Sequence, residues 1–242
     1  MPIPRKPEFS ATRWSLILHA RDGDDATALP ALEELCRRYW YPLYAFVRRQ
    51  GRDAEEAGDL TQAFFEKLIE KEWLRSVAPE KGRFRSFLLT AMGHFLANEW
   101  NRLRRQKRGG GRPVVALDAL EAEERYRLEP VSSSTPETLY ERRWALTVLE
   151  SAFRALEAEC NASGRGALFA ALRPHLSGDP DAELLAVLAP PLGTTEGALK
   201  VAAHRLRRRY GELVRAEIAN TVDADPATVD AELRHLQEAL RG

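Results

Sequence analysis

Apolar residues recur at steps of three and four through most of the chain, the spacing that gives a helix one buried face. Between Ala28 and Gln50 the stripe is Leu32, Leu35, Tyr39, Leu43 and Phe46. From Asp53 to Lys71 it continues as Leu60, Phe64 and Leu68. A third long helix is predicted from Arg83 to Lys107, with Phe84, Leu88, Met92, Phe95 and Leu96 on the apolar side and Leu89 and Ala91 beside them. Three later helix starts are marked by Thr135-Pro136, Asp179-Pro180 and Asp225-Pro226. In each pair an oxygen-bearing side chain can accept the orphan amides, and proline fits the first turn because its missing donor costs nothing there. Alternation at a step of two, the mark of strands, is missing. The fold class expected is all-α.

The pattern breaks at Gly109-Gly110-Gly111, followed by an acidic stretch from Asp118 to Glu129 and then Pro130-Val131-Ser132-Ser133-Ser134. Glycines dissolve helix and serines stay solvated, so residues 109–134 read as a flexible linker. It divides two helical domains, residues 10–108 and 135–220, and leaves a helical tail at 221–242. In that tail Val222, Val229, Leu233, Leu236 and Leu240 fall on or near one face, which suits either the binding of a regulator or, as the commoner outcome, folding back on the second, recognition domain.

The third helix also carries a polar stripe. Thr90, His94, Asn98, Asn101 and Arg105 fall within roughly an 80° arc at 100° per residue. Amide, imidazole and guanidinium groups are those that read base edges, and the basic run beyond them, Arg102 to Arg108, can hold phosphates. A solvated face ending in a charge run gives the same pattern. In the second half, a short apolar helix from Asp181 to Leu188 is followed by the break Ala189-Pro190-Pro191-Leu192-Gly193. Thr195 then caps a longer helix through about Arg215. Helix, glycine-bearing turn and basic second helix is helix-turn-helix grammar. Leu199, Ala203, Leu206 and Tyr210 make the packing stripe of that helix, while Lys200, Arg205, Arg208 and Arg209 point elsewhere; a generic surface helix would also read so.

Charge changes the picture only through its distribution. The chain of 242 residues has 36 basic and 36 acidic side chains, a net charge of zero, which taken alone argues against a nucleic-acid binder. The basic residues nevertheless gather at 102–108 and 205–209. Hydrophobic residues at 44% and charged residues at 30% are a soluble, globular balance. Residues 1–10 hold three prolines and no apolar run, so no secretory signal is expected, and no stretch is long enough for a membrane span. Cys36 and Cys160 lack metal-ligand spacing and are expected to be buried thiols in a reducing cytoplasm. No catalytic constellation, metal site or cofactor motif is found in the five scattered histidines, the serines or the glycine run.

The segment Leu32-Glu33-Glu34-Leu35-Cys36-Arg37-Arg38-Tyr39-Trp40-Tyr41-Pro42-Leu43-Tyr44, followed by Ala54-Glu55-Glu56-Ala57-Gly58-Asp59-Leu60-Thr61-Gln62-Ala63-Phe64-Phe65, resembles conserved region two of extracytoplasmic-function sigma factors of RNA polymerase. Gly82-Arg83-Phe84-Arg85-Ser86-Phe87-Leu88 and its basic-ended helix follow where that family places its promoter-opening segment. Thr195-Glu196-Gly197-Ala198-Leu199-Lys200, with His204-Arg205-Leu206 behind it, is similar to region four. Together these matches cover about three-quarters of the chain. The Lys107-Arg108-Gly109-Gly110-Gly111 tract, the long helix at 140–160 and the tail are similar to a subgroup common in planctomycetes.

The resemblance implies a non-enzymatic transcription factor without a cofactor. It would bind core RNA polymerase, at the beta-prime clamp through Asp59, Gln62 and Glu66 and at the beta flap, and recognise promoter DNA. Minus-ten contacts would come from Thr90, His94, Asn98, Asn101, Arg102, Arg105, Lys107 and Arg108. Minus-thirty-five contacts would come from Thr195, Lys200, Arg205, Arg208 and Arg209. An anti-sigma factor or a kinase is the kind of regulator the family admits, and no membrane is involved. Departures from the family pattern are Gly93-His94 where many relatives have Arg-Asn, Val201-Ala202 in place of a polar pair, and Pro190-Pro191 at the end of the first helix of the motif. The rival readings are a helix-turn-helix regulator that acts without core polymerase, and an interaction scaffold whose basic patches are merely solvated.

Overall fold

A computed structural model describes residues 25–69, 74, 77, 83–105, 117–129, 135–176, 182–219 and 225–241. All regular structure among them is helical: α1 Asp25–Arg49, α2 Ala54–Ile69, α3 Phe84–Arg105, α4 Leu117–Arg127, α5 Pro136–Ala162, α6 Gly166–Leu172, α7 Ala182–Leu188, α8 Glu196–Ala219 and α9 Pro226–Arg241, with a 3₁₀ turn at Arg173–His175. The chain forms two compact units, Met1–Leu146 with Ala219–Gly242, and Thr147–Ile218.

In the first unit the stripe residues Leu32, Leu35, Tyr39, Leu43 and Phe46 of α1 are all buried, as are Phe64 and Leu68 of α2 and Phe84, Leu88, Met92, Phe95 and Leu96 of α3. Edge-to-face rings join the helices, Tyr39 to Phe84 at 5.5 Å and Phe64 to Phe95 at 5.9 Å between centroids. Gly51, with φ of +87°, turns the chain out of α1 in the left-handed region that glycine enters without a Cβ clash. Asp53 then caps α2 by accepting the Glu56 amide at 2.8 Å. Pro42 lies inside α1 and withholds the donor that would reach the Arg38 carbonyl; α1 continues through it because its flanks are buried. Thr135 and Asp225 cap α5 and α9, accepting amides of Thr138 at 3.2 Å and Thr228 at 3.0 Å. The Asp179-Pro180 pair lies outside the described residues.

Two expectations are corrected here. The segment read as linker contains α4, which packs on α1 and α2. Two glutamates of its acidic stretch have partners on α1: Glu123 meets Arg48 and Tyr44, and Glu129 meets Tyr41. The tail belongs to the first unit, not to the helix-turn-helix half. In α9, Val229, Glu232 and Leu236 are buried, and Glu232 pairs with Arg83 and Arg85 at the start of α3. The boundary between the units accordingly falls inside α5, after Leu146, instead of in a glycine-serine segment.

The second unit is built around Phe153, whose ring meets Phe169 at 5.3 Å and Tyr210 at 5.9 Å. A smaller cluster of Leu185, Ala189 and Leu199, with Leu168, Leu188 and Leu192 against it, fastens α7 to the start of α8. No helix among the described residues is long and apolar enough to cross a membrane.

Candidate nucleic-acid interface

Helix α3 presents its polar stripe to solvent. Thr90, His94 and Asn98 are exposed, while Leu88, Met92 and Phe95 on the other side are buried. The helix is held in that rotation from two directions. Lys67 of α2 reaches Glu99 at 3.2 Å and lies 4.8 Å from the centre of the Phe95 ring. At the other end Arg85 is only 3% exposed, and its Nη1 donates to both carboxylate oxygens of Glu141 at 2.7 Å. Its Nε donates to Glu232 at 3.3 Å, and its guanidinium sits 4.5 Å from the centre of the Trp144 ring. The Tyr140 hydroxyl donates to the Arg85 carbonyl at 2.9 Å. Asn101, Arg102 and Arg105 belong to the α3 backbone, but their side chains lie outside the described residues, as do Lys107 and Arg108 altogether.

On α2, Asp59 and Glu66 are exposed and Gln62 is half-exposed, and the Gln62 amide donates to Glu66 at 3.0 Å. The opposite face of α2 carries buried Ala57, Thr61, Phe64, Phe65 and Leu68. The three residues grouped by spacing thus share one accessible acidic face, the form that complements a basic surface.

In the second unit, α7 ends at Leu188 and Pro190 and Pro191 are exposed in the following turn. Gly193, with φ of +61°, supplies the left-handed residue there. Thr194 donates its amide to the Ala189 carbonyl at 3.1 Å, and Thr195 accepts the Ala198 amide at 3.2 Å to start α8. Lys200, Val201, His204, Arg205 and Arg208 are exposed along α8. A pocket of about 380 Å³ beside them is lined by Arg165, Phe169, Ala198, Val201 and Arg205, among others.

The five residues expected at this face do not act alike. Lys200 and Arg205 stand exposed. Thr195 spends its hydroxyl oxygen as a helix cap, and Arg208 donates to Glu212 at 3.1 Å. Arg209 is a brace: it donates to the two oxygens of Glu159 at 2.9 and 2.7 Å and to Glu212 at 3.0 Å. These bonds hold the Glu159 carboxyl below the usual carboxylate range. A depressed carboxylate contributes stability above its unfolded pKa and loses it as pH falls through the folded one. Arg209→Ala is therefore expected to cost the second unit about 1 kcal/mol at neutral pH, a modest value because both side chains are partly solvated. The cost should vanish in acid, where Glu159 is protonated, as urea unfolding at the two pH values would show.

Sequence reasoning missed the Arg85–Glu141–Glu232 network and the Glu123–Arg48 pair. The partners are 147 and 75 residues apart in two of these bonds, and no local period signals them. Burial pushes the Cys36 thiol up to about 11 and raises that of Cys160 as well, so neither offers a thiolate at neutral pH. Compared with family models, with curated proteins and with solved structures, the chain matches none.

Proposed function

We propose that this chain is a sigma factor of the extracytoplasmic-function type, which binds core RNA polymerase in the cytoplasm and directs promoter recognition and opening. The observation that carries the reading is the exposed Thr90-His94-Asn98 stripe on a helix whose opposite side, Leu88, Met92 and Phe95, is buried, within a segment whose sequence resembles sigma region two. Those groups can hydrogen-bond base edges, and an unstacked base of the minus-ten element is the ligand that suits them. The acidic face of Asp59, Gln62 and Glu66 docks on the polymerase clamp. The α7–turn–α8 pair lies at the minus-thirty-five element, with Lys200, Arg205 and Arg208 on phosphates and Arg209 and Thr195 holding the helix in place. The protein works by binding alone, so its own side chains make and break no bond.

The α7–turn–α8 arrangement would equally serve a regulator that binds duplex DNA without polymerase. Run-off transcription from a promoter library, with core polymerase alone and with this chain added, separates the two. Promoter-dependent transcripts that need the chain support the proposal; DNA binding without such transcripts favours the regulator. Within the positive result, Asn98→Ala is expected to shift preference among minus-ten variants by about 1–3 kcal/mol at one base, the usual worth of a good base contact. Arg205→Ala is expected to weaken all promoters alike and to flatten the salt dependence.

A further inference from the structure

Helix α4 lies across a surface of α1 that is made of aromatic rings and arginines. The Arg48 fork donates to both oxygens of Glu123, from Nε at 2.8 Å and from Nη2 at 3.0 Å. The Tyr44 hydroxyl donates to the same carboxylate at 2.7 Å. One turn of α4 later, the Arg48 guanidinium lies 4.8 Å from the centre of the Tyr126 ring, and that ring meets Tyr44 edge-on at 6.5 Å. Three residues further along, just past the end of α4, Glu129 accepts the Tyr41 hydroxyl at 2.7 Å and pairs with Arg143. Arg125 lies 4.2 Å from the centre of the Tyr41 ring.

Among the described side chains of α4, Ala122 is the one apolar group that is buried; Glu121, Glu124 and Arg127 are exposed. An eleven-residue helix is marginal by itself, and these polar contacts help to hold α4 in its place. Contacts of this kind can be exchanged for others of the same chemistry. A guanidinium fork with a phenol beside it binds a phosphate as it binds a carboxylate.

The site does not end at Glu123. Trp40 stacks on Tyr44 with centroids 5.2 Å apart and planes within 10°, and it lines an open pocket of about 370 Å³ between α1 and α4. Glu33, Arg37, Tyr41, Glu121 and Arg125 line the same pocket. Trp40 and Arg48 are eight residues apart, about 12 Å along the helix, the reach of a few nucleotides. Aromatic faces in file with cationic forks are the chemistry that holds a single strand of nucleic acid without regard to sequence. Both carboxylates of the pocket, Glu33 and Glu121, would repel a strand, and Glu121 leaves with α4.

We propose that α1 carries a binding site for single-stranded nucleic acid, with Arg48 and Tyr44 taking a phosphate and Trp40 stacking a base, and that α4 is its removable cover, Glu123 standing where the phosphate goes. The site is distinct from the α3 stripe and does not depend on the function proposed above.

The test is fluorescence polarisation of a labelled oligothymidylate on the full chain. Glu123→Ala with Glu129→Ala removes the two carboxylates that hold α4, and release is read separately by trypsin cleavage at Arg125 and Arg127. The double variant is expected to be cut there and to bind roughly tenfold tighter than wild type, as follows when a minor binding-competent state becomes the major one. Adding Arg48→Gln or Trp40→Ala to it should return affinity to the wild-type level, whereas adding Glu238→Gln, at an exposed position of α9, should not. Resistance to trypsin in the double variant would overturn the cover. Cleavage without tighter binding, or tighter binding that survives Arg48→Gln, would overturn the site. Competition by polyglutamate as strong as by unlabelled oligonucleotide would make the occupant an acidic protein and overturn the assignment to nucleic acid.

Discussion

Glu232→Ala is expected to destabilise the first unit by about 3 kcal/mol, the lower end of the range for breaking a buried ion pair. Glu232 is fully buried and Arg85 is 3% exposed, so neither can turn to water when its partner is removed. Without Glu232 the two arginines at the start of α3 share no carboxylate on α9. Arg83 is partly exposed and can rehydrate, and Arg85 keeps Glu141 and the Trp144 ring, which limits the loss. Arg85→Met should cost more, because among the described residues Glu232 then keeps Arg83 and Glu141 keeps His235, at 3.0 Å, in place of the buried guanidinium. The double variant Glu232→Ala with Arg85→Met should lose less than the sum, since the second change removes the charge that the first left stranded. Urea unfolding of the three variants measures this directly. Additive losses would show that the pair is not coupled. A loss of this size is a large share of the 5–15 kcal/mol typical of a whole domain.

How far the fold could be read in advance follows from the range of each signal. The α1 stripe, the Thr135 and Asp225 starts and the turn around Gly193 rest on neighbours within four or five residues, and each stands as spacing and side-chain chemistry implied. The α3 stripe belongs to the same class: helix geometry put Thr90, His94 and Asn98 together, and burial of the opposite side exposes them. Helix α4 was misread because an acidic, glycine-flanked segment looks solvated until Arg48 and Tyr44 are known to face it. Docking of the tail was misassigned for a similar reason. Its amphipathic face announces that it packs, while the partner is chosen by one buried glutamate and two arginines far away in sequence. Arg209 shows the remaining gap: a guanidinium can hold a phosphate or a glutamate equally well, and only position decides between them.

Charge reversal on the α2 face, Asp59→Arg together with Glu66→Arg, is expected to weaken binding to core polymerase at least about a hundredfold and to abolish promoter-dependent transcription. The estimate follows from juxtaposing like charges at an interface, which costs several kcal/mol, each 1.4 kcal/mol being a factor of ten. Both side chains are exposed, and the packing of α2 is carried by Ala57, Phe64, Phe65 and Leu68 on its other side. Surface changes of this kind usually move stability by no more than about 0.5 kcal/mol, so the variant should keep its circular dichroism and its urea midpoint. Gln62 gives up a hydrogen bond to Glu66, an exposed contact that the fold does not need. Glu238→Arg, an exposed position on α9, serves as the control and should leave binding unchanged. Pull-down on core enzyme at two salt concentrations reads the result, and the wild-type interaction should itself weaken as salt rises, as contact between an acidic face and a basic partner requires. A folded double variant that binds core as well as wild type would remove this face from the mechanism. Failure of the wild type to bind core at all would instead leave the α7–turn–α8 pair as a duplex-DNA reader that works without polymerase.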